Sequence, residues 1–179
     1  MNITVYCGAN AGTNPQFAEG ATELGTWIAE SGNTLVYGGG CNGLMGVVAD
    51  ACLDHGGKVI GVIPDFLVDM EQMHPGTTEM IRVKTMSERR NLMIERGDAF
   101  VALPGGVGTL EEISEIISHV HLHLIQGSCI LYNQNHYYDP MKAMLKNMVA
   151  CGFYPKEDFQ SICFAENIAE IEAELCKKF

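Results

Sequence analysis

Residues 98–112, DAFVALPGGVGTLEE, join an apolar run to a glycine-rich turn and then to a segment that carries two adjacent glutamates. The apolar run predicts a buried strand, and the residues from Leu110 onward place apolar side chains at helical spacing. Glycine allows a backbone to approach a ligand closely, and the first N–H groups of a helix attract an anion. We therefore expect a strand, a phosphate-binding turn and a helix, in that order.

The same succession of strand, loop and helix recurs along the chain. Apolar or β-branched runs predict strands at ITVYCG, NTLVYGG, KVIGVIP, EMIRVKT, DAFVALPGG and SCILYN. Helical spacing predicts helices over 17–30, 44–55, 87–96, 110–125, 140–151 and 168–177. Nearly continuous hydrophobicity is typical of strands that are buried on both faces. The pattern predicts an α/β protein with a doubly wound parallel sheet, in a single domain over residues 1–179.

Composition narrows the class of protein. The 179 residues are 47% hydrophobic and 18% charged, which suits one globular domain with a sizeable core. A net charge of −11 argues against nucleic acid and anionic membranes as partners, because both attract basic surfaces. The seven cysteines form no C-x-x-C pair, and the start MNITVYCG lacks the features of a signal peptide. We expect a reduced, cytoplasmic protein without a membrane span.

A second glycine-rich loop, GGGCNGLMG, follows the second predicted strand. It contains the pattern G-x-G-x-x-G at Gly38, Gly40 and Gly43, and Asp65 ends the next strand, as in a dinucleotide fingerprint. Alternatively, these glycines only allow a tight turn and close packing of a helix. The further loop PGGVGT, and the lack of chain for a separate substrate domain, argue against a dinucleotide and leave a role in binding phosphate.

A third loop, CGANAGTNP, follows the first predicted strand. Ligands of open parallel sheets bind outside the carboxyl ends of the strands. All three glycine-bearing loops end strands, so they are expected to lie on one edge of the sheet and to line one crevice.

Thr109 and Glu112 have two interpretations. They match the pattern S/T-x-x-E of a capping box, in which both side chains satisfy backbone N–H groups at the start of a helix. A carboxylate fixed beside a phosphate-binding loop is also suited to stabilising positive charge in a transition state. The two roles are compatible, and the sequence leaves both open.

Two arginines stand in the segment TMSERRNLM, where the third predicted helix begins. Cations at this end oppose the helix dipole, so helix stability does not account for Arg89 and Arg90. They are either solvated surface residues or contacts to a phosphate or purine ligand.

His119, His121 and His123 suggest a metal site, but only residues about four apart share a face of a helix. At most two of the three can converge, and the spacing offers no third ligand, so no metal is predicted. The surrounding helix ISEIISHVHLHLI is apolar over more than one face. We expect it to pack in the core or to form the contact of a homodimer.

Three features together point to a known family. They are GGGCNGLMG, the SERR stretch, and P-G-G-x-G-T-x-x-E over residues 104–112. With them the chain resembles the LONELY GUY (LOG) family of cytokinin riboside 5′-monophosphate phosphoribohydrolases, whose bacterial members have often been called lysine decarboxylases. The resemblance runs from VYCG through LYNQNHYYDPMKAML to GFYP.

The resemblance implies a Rossmann-like homodimer, without a cofactor, that releases a free base and ribose 5-phosphate from a nucleoside 5′-monophosphate. The essential arginine and glutamate of the family fall on Arg89 and Glu112. Its phosphate-binding residues fall on Gly105, Gly106, Gly108 and Thr109, and its earlier glycine motif falls on Gly39, Gly40 and Gly43. Gly8, Met86 and Arg90 complete the predicted nucleotide-binding set.

Glycosidic chemistry agrees with this assignment. Breaking a ribosyl C–N bond develops positive charge on the sugar, which a carboxylate such as Glu112 stabilises. Arg89 either stabilises the departing base or holds the phosphate. Two other functions remain open, a nucleotide carrier or sensor without turnover and an NAD-linked oxidoreductase.

Overall fold

The computed structural model describes residues 1–70 and 72–177. Over these residues the strands form one seven-stranded parallel sheet in the order β4-β3-β2-β1-β5-β6-β7. The strands are β1 (Asn2–Tyr6), β2 (Thr34–Tyr37), β3 (Lys58–Pro64), β4 (Glu79–Val83), β5 (Ala99–Ala102), β6 (Cys129–Tyr132) and β7 (Ile162–Ala165). The order reverses between β1 and β5, so the predicted doubly wound, Rossmann-like parallel sheet is confirmed.

Helices cover both faces of the sheet. They are α1 (Gln16–Glu30), α2 (Gly43–Asp54), α3 (Met86–Arg96), α4 (Val107–His121), α5 (Asp139–Ala150), α6 (Lys156–Gln160) and α7 (Ile168–Cys176). Short 3-10 turns occupy Asp65–Leu67 and Gln134–His136. The apolar sides of α1, α2 and α7 pack in one core cluster, and those of α3, α4 and α5 pack in another.

The central strand β1 shows why the strands read as continuous apolar runs. Ile3 and Val5 belong to the core cluster on one face, and Tyr6 belongs to the cluster on the other face. Successive side chains of a strand point to opposite faces, so a sheet covered on both sides buries the side chains at successive positions, and most of them are apolar.

The sequence missed two elements and misplaced the ends of a third. The strand β7 and the helix α6 before it were not predicted, and α6, with five residues, is too short to show helical spacing. α4 was predicted over 110–125 but spans Val107–His121. Beyond its end His123 adopts a left-handed φ of 55°, which is incompatible with a continuing α-helix.

Two observations concern disulfide bonds and membrane-spanning helices. None of the seven cysteines forms a disulfide bond. Within the described part of the chain, no helix combines the length and apolar character that crossing a membrane requires.

Candidate active site

A cavity of about 440 Å³ opens at the carboxyl edge of the sheet, beside β1 and β5 where the strand order reverses. Open α/β sheets bind their ligands at such a switch point. Among the predicted site residues, the lining includes Gly8, Met86, Arg89, Gly105, Gly106, Gly108, Thr109 and Glu112. The fold therefore brings together residues from the loops after β1 and β5 and from the first turns of α3 and α4.

The loop after β5 ends in an open helix terminus. Gly106 is the N-cap of α4, and Val107 and Gly108 are its first residues. The first N–H groups of a helix have no partner within the helix. Cβ atoms built on Gly106 and Gly108 would meet none of the described atoms outside the helix within 4 Å. The terminus therefore presents backbone donors to a space large enough for an anion.

The start of α4 shows that the predicted capping box is wrong. Thr109 is the third residue of the helix rather than its N-cap, so Glu112 lies one turn further along. Thr109 is only 4% exposed, and its hydroxyl packs so closely on Gly105 that a Cβ there would lie 2.1 Å from Oγ1. Glycine is an adequate N-cap, which allows the helix to begin earlier. Helix capping therefore does not account for Glu112.

Glu112 lies beside a buried tyrosine of β1. Burial, and next the negative charges of Glu112 and Glu115, raise the pKa of Tyr6 well above its ordinary value. Tyr6 is therefore a neutral phenol at neutral pH. Glu112 itself lines the cavity.

Arg89 is held inside the protein at the start of α3. It is 5% exposed, and its Nη2 donates a hydrogen bond of 2.9 Å to the carbonyl oxygen of Gly38. A Cβ on Gly38 would lie 1.9 Å from the same nitrogen, so the glycine is needed for the guanidinium to fit. Sulfur atoms of Met45 and Met86 lie 4.0 Å from the guanidinium. This arrangement fixes a buried cation at the cavity wall.

Arg90 points away from this cavity, toward the flank of α4. Its Nη1 lies 3.0 Å from Glu111 Oε1, and its Nε lies 3.0 Å from Glu115 Oε2. Arg90 is not among the residues that line the cavity. The structure does not bring it together with the other site residues, and its part in nucleotide binding remains a prediction.

The glycines of the loop after β2 pack against protein. Gly43 has a left-handed φ of 58°, and a Cβ there would lie 2.4 Å from the carbonyl carbon of Ala9. Leu44 N–H also donates to the Gly8 carbonyl at 3.0 Å. Gly39, Gly40 and Gly43 are not among the described residues that line the cavity. This loop supports the loop after β1, and direct nucleotide contact by its glycines remains a prediction.

The dinucleotide interpretation finds little support at Asp65. Its Oδ1 accepts a hydrogen bond of 2.7 Å from Arg82 Nε, and both side chains are exposed. Asp65 begins a 3-10 turn whose last residue, Leu67, lies in the cavity wall.

Sequence reasoning missed several large side chains of the cavity, three of them from outside the glycine loops. Phe17 comes from α1, Leu67 from the 3-10 turn after β3, and Tyr137 from the loop before α5. The rings of Phe17 and Tyr137 pack edge to face, with centroids 5.6 Å apart. The adjacent tyrosines of NHYYDP were the one available signal, because exposed aromatic residues in loops often contact ligands.

The three histidines do not converge. His121 Nδ1 pairs with Asp158, whereas His123 lies beyond the end of α4. No group of three or more metal-ligating side chains is found in residues 1–70 and 72–177.

Together, the sheet and its cavity define a Rossmann-like protein with an open helix terminus, a buried arginine and a carboxylate at its switch point. Comparison with known proteins identifies the family. A family model described as "Possible lysine decarboxylase" matches residues 45–175. A cytokinin riboside 5′-monophosphate phosphoribohydrolase of Rhodococcoides fascians is 46% identical over 153 residues, which are 85% of this chain and 77% of that protein.

Two further relatives carry the same name. The LOG protein of Oryza sativa is 39% identical, over 97% of this chain and 72% of its own length. The protein of Mycobacterium marinum is 35% identical, over 93% of this chain and 88% of its own length. The chain belongs to the cytokinin riboside 5′-monophosphate phosphoribohydrolase (LOG) family.

Solved structures agree on the fold. The molybdenum cofactor carrier protein of Chlamydomonas reinhardtii superposes with a TM-score of 0.76 at 21% identity, covering 98% of this chain and 96% of that one. The molybdenum cofactor binding protein of Rippkaea orientalis gives a TM-score of 0.73 at 22% identity, covering 98% and 94%. At these identities the likeness concerns the fold alone.

Proposed function

We propose that this protein hydrolyses the N-glycosidic bond of a nucleoside 5′-monophosphate, either a cytokinin riboside 5′-monophosphate or AMP. The products are the free base and ribose 5-phosphate. One observation carries the proposal: the open N-terminus of α4, Glu112 and Arg89 all face the same cavity. Family membership supports the same reaction, because the relatives are named for it.

The phosphate binds at the start of α4. Its first turn and the loop before it contain Gly105, Gly106, Gly108 and Thr109, and Gly8, in the loop after the neighbouring strand β1, lies against Gly105. Backbone N–H groups and the positive end of the helix dipole favour a dianionic phosphate. The chain has a net charge of −11, so this local attraction has to overcome an unfavourable overall field.

Glu112 stabilises the positive charge that develops on the ribose. When the bond from C1′ to the base nitrogen breaks, its electron pair leaves with the base and the sugar becomes oxocarbenium-like. A water molecule then supplies the new C1′–O bond, and its proton balances the charge on the base. A carboxylate fixed one helical turn beyond the phosphate-binding terminus is preorganised for this electrostatic role.

Arg89 contributes a buried cation to the same cavity. Its bond to Gly38 fixes the orientation of the planar guanidinium. In this place Arg89 either stabilises negative charge on the departing base or binds the phosphate, and Met86 packs beside it. Both roles require the planar group of an arginine more than its charge alone.

The test is a base-release assay. The protein is incubated with AMP, isopentenyladenosine 5′-monophosphate and adenosine, and free base and ribose 5-phosphate are measured by chromatography. We expect release from the monophosphates and a rate on adenosine lower by roughly 10²-fold or more, because phosphate binding energy contributes to catalysis at the sugar. Equal rates on AMP and adenosine would contradict the assignment of the glycine loop.

Base release, together with binding measurements for AMP and for NAD, decides between the alternatives. A carrier or sensor would bind AMP without releasing base, and an NAD-linked oxidoreductase would bind a nicotinamide cofactor. A lysine decarboxylase of the pyridoxal type needs a lysine for its Schiff base. Among the described residues that line the cavity there is no lysine.

We also infer that the protein is a cytoplasmic homodimer. Seven cysteines without a disulfide bond suit a reducing compartment. The helix α4 and the segment after it expose Leu110, Leu122 and Leu124, and such apolar surface favours association with a second copy. Light scattering at micromolar concentration tests the dimer, and a monomer would contradict it.

A further inference from the structure

An unusual turn lies between β6 and α5 at the edge of the cavity. Asn135 and His136 both have left-handed backbone conformations, with φ of 51° and 59°. Residues other than glycine seldom adopt such angles, and two in succession are maintained only where the surroundings hold them. The next residue, Tyr137, lines the cavity.

The turn is fastened at its start. Asn133 is buried, and its side chain accepts a hydrogen bond of 2.7 Å from Tyr138 N–H and donates one of 2.8 Å to Asp139. Gln134 packs on α1 so closely that a Cβ on Gly20 would lie 1.7 Å from its Nε2. These contacts keep the backbone in a disfavoured conformation, which in turn directs the side chain of Tyr137.

The two tyrosines of the turn reach the glycine loop that precedes α4. Tyr138 donates from its hydroxyl to the Leu103 carbonyl at 2.7 Å, and Tyr137 donates from its hydroxyl to the Gly105 carbonyl. Tyr138 is buried, whereas Tyr137 is 40% exposed and rests against Phe17. One turn therefore fixes carbonyl groups on both sides of Pro104.

The bond from Tyr137 has a consequence for the neighbouring N–H group. The carbonyl of Gly105 and the N–H of Gly106 belong to one planar peptide unit and point in opposite directions. Fixing the carbonyl therefore fixes the direction of the N–H. Without this bond the glycine pair Gly105 and Gly106 has wide conformational freedom. Gly106 is the N-cap residue at the proposed phosphate site.

We propose that Tyr137 is a positioning residue for phosphate binding, acting through the peptide unit between Gly105 and Gly106. This inference rests on the proposed phosphate site. Its hydroxyl orders the loop before substrate arrives, so that the backbone donors need no rearrangement when the nucleotide binds. The role is specific to the hydroxyl, since the ring alone is sufficient to shape the cavity wall.

The test replaces Tyr137 by Phe, which keeps the ring and removes the hydroxyl. Inorganic phosphate and adenosine are each used as inhibitors of AMP hydrolysis, and phosphate binding is also measured by calorimetry. Tyr137→Phe is expected to weaken phosphate binding about fivefold to tenfold, the scale of one lost hydrogen bond. The inhibition constant of adenosine, which has no phosphate, is expected to stay within about twofold, because the cavity wall is unchanged.

Tyr138→Phe is the matched control. It removes the other hydroxyl of the same turn, so its melting temperature is expected to fall while its affinity for phosphate stays at the wild-type value. The proposal is overturned if Tyr137→Phe binds phosphate as tightly as wild type, or if it loses phosphate and adenosine affinity equally. It is also overturned if Tyr138→Phe weakens phosphate binding as much as Tyr137→Phe does.

The calorimetric measurement separates this inference from the proposed function. If wild type releases no base from AMP but binds phosphate, the hydrolase assignment fails and the comparison of Tyr137→Phe with wild type still holds. If wild type binds no phosphate, the positioning role fails with the site itself.

Discussion

Two glycine-rich loops of this protein look alike in sequence and differ in what surrounds them. In the loop after β2 and the first turn of α2, Cβ atoms on Gly38, Gly43 and Gly46 would lie 1.9, 2.4 and 2.0 Å from other protein atoms. In the loop after β5, Cβ atoms on Gly106 and Gly108 would meet nothing within 4 Å among the described residues outside the helix. The first loop uses glycine to pack protein against protein. In the second, Gly105 is also packed against protein, but the places beside Gly106 and Gly108 are empty and belong to the cavity.

The difference teaches how to interpret a glycine motif. A missing Cβ is a structural necessity where a neighbouring segment occupies its place, and it is a candidate for function where the place is empty. The sequence of the first loop matches the G-x-G-x-x-G pattern of a dinucleotide-binding loop. In the structure, however, Gly38 makes room for Arg89 and Gly43 makes room for the loop after β1. Substitutions at the packed glycines should therefore lower the stability of the protein, whereas substitutions at the glycines beside the empty space should lower its activity.

The largest effect is expected for Gly43→Ala, where the loop after β2 leads into α2. The left-handed φ of 58° costs roughly 1–2 kcal/mol for alanine, and overlap with the backbone at Ala9 adds about as much again. We expect the free energy of unfolding to fall by about 3 kcal/mol, measured by chemical denaturation.

Gly32→Ala separates strain from overlap in this prediction. Gly32 also has a left-handed φ, of 69°, but a Cβ there would meet no described atom within 4 Å. Its loss should be limited to the conformational term of about 1 kcal/mol. Equal losses at Gly43 and Gly32 would show that the loop after β2 is not packed as described.

The second-largest effect is expected for Glu112, which lies in α4 directly after the second glycine loop. Glu112→Gln keeps the shape of the side chain and removes its charge, so we expect kcat/KM for AMP to fall by roughly 10²-fold or more. Glu111→Gln is the control, because Glu111 is turned toward Arg90 and its exposed ion pair contributes little. A Glu112→Gln variant that melts normally and retains wild-type turnover would leave nucleotide binding without catalysis as the better function.

A smaller effect is expected for Gly108→Ala, in the first turn of α4. Alanine suits the first turn of a helix, so stability should be unchanged or should rise by up to about 1 kcal/mol. The added methyl group extends into the cavity, and we expect kcat/KM for AMP to fall about tenfold. Steady-state kinetics and thermal melting of the same preparation check both halves. A stable variant with unchanged kinetics would show that the space at Gly108 is not used by substrate.

The smallest effect is expected at Arg90, which extends the comparison to α3. Arg90→Met removes the ion pairs to Glu111 and Glu115 on the flank of α4, so stability should fall by about 1 kcal/mol. The KM for AMP should change by less than about twofold if these pairs are the main role of Arg90. A tenfold rise in KM at unchanged stability would restore Arg90 to the nucleotide-binding set.

The sequence predicted the sheet well because its signals are local. Strands buried on both faces have mostly apolar side chains, so six of the seven strands were visible as apolar runs. β7 was not: it is as long as β2, β5 and β6, but it lies at the edge of the sheet directly after the five-residue helix α6, which is too short to show helical spacing and so to mark where a strand begins. Likewise the glycine loops were found because glycine marks sharp turns at the ends of strands.

Helix starts were less accessible to sequence reasoning. The pattern T-x-x-E occurs at both Thr85–Glu88 and Thr109–Glu112. At the first place it caps α3: Glu88 N–H donates to Thr85 Oγ1 at 3.1 Å, and Glu88 Oε2 accepts from Lys84 N–H at 2.8 Å. At the second place the helix begins earlier and Thr109 is drawn into contact with Gly105. The same letters act differently because the packing of the preceding loop decides where the helix begins.

By itself the sequence determined the fold class, the glycine loops at the strand ends, and Arg89 and Glu112 as the residues of interest. These follow from short-range periodicity and turn chemistry, which the chain carries locally, together with the family resemblance. The tertiary structure decided which glycines face empty space, which of two adjacent arginines turns inward, and that Phe17, Leu67 and Tyr137 meet at one cavity. Those outcomes depend on segments far apart in the chain, because an empty space is defined by all the atoms that surround it.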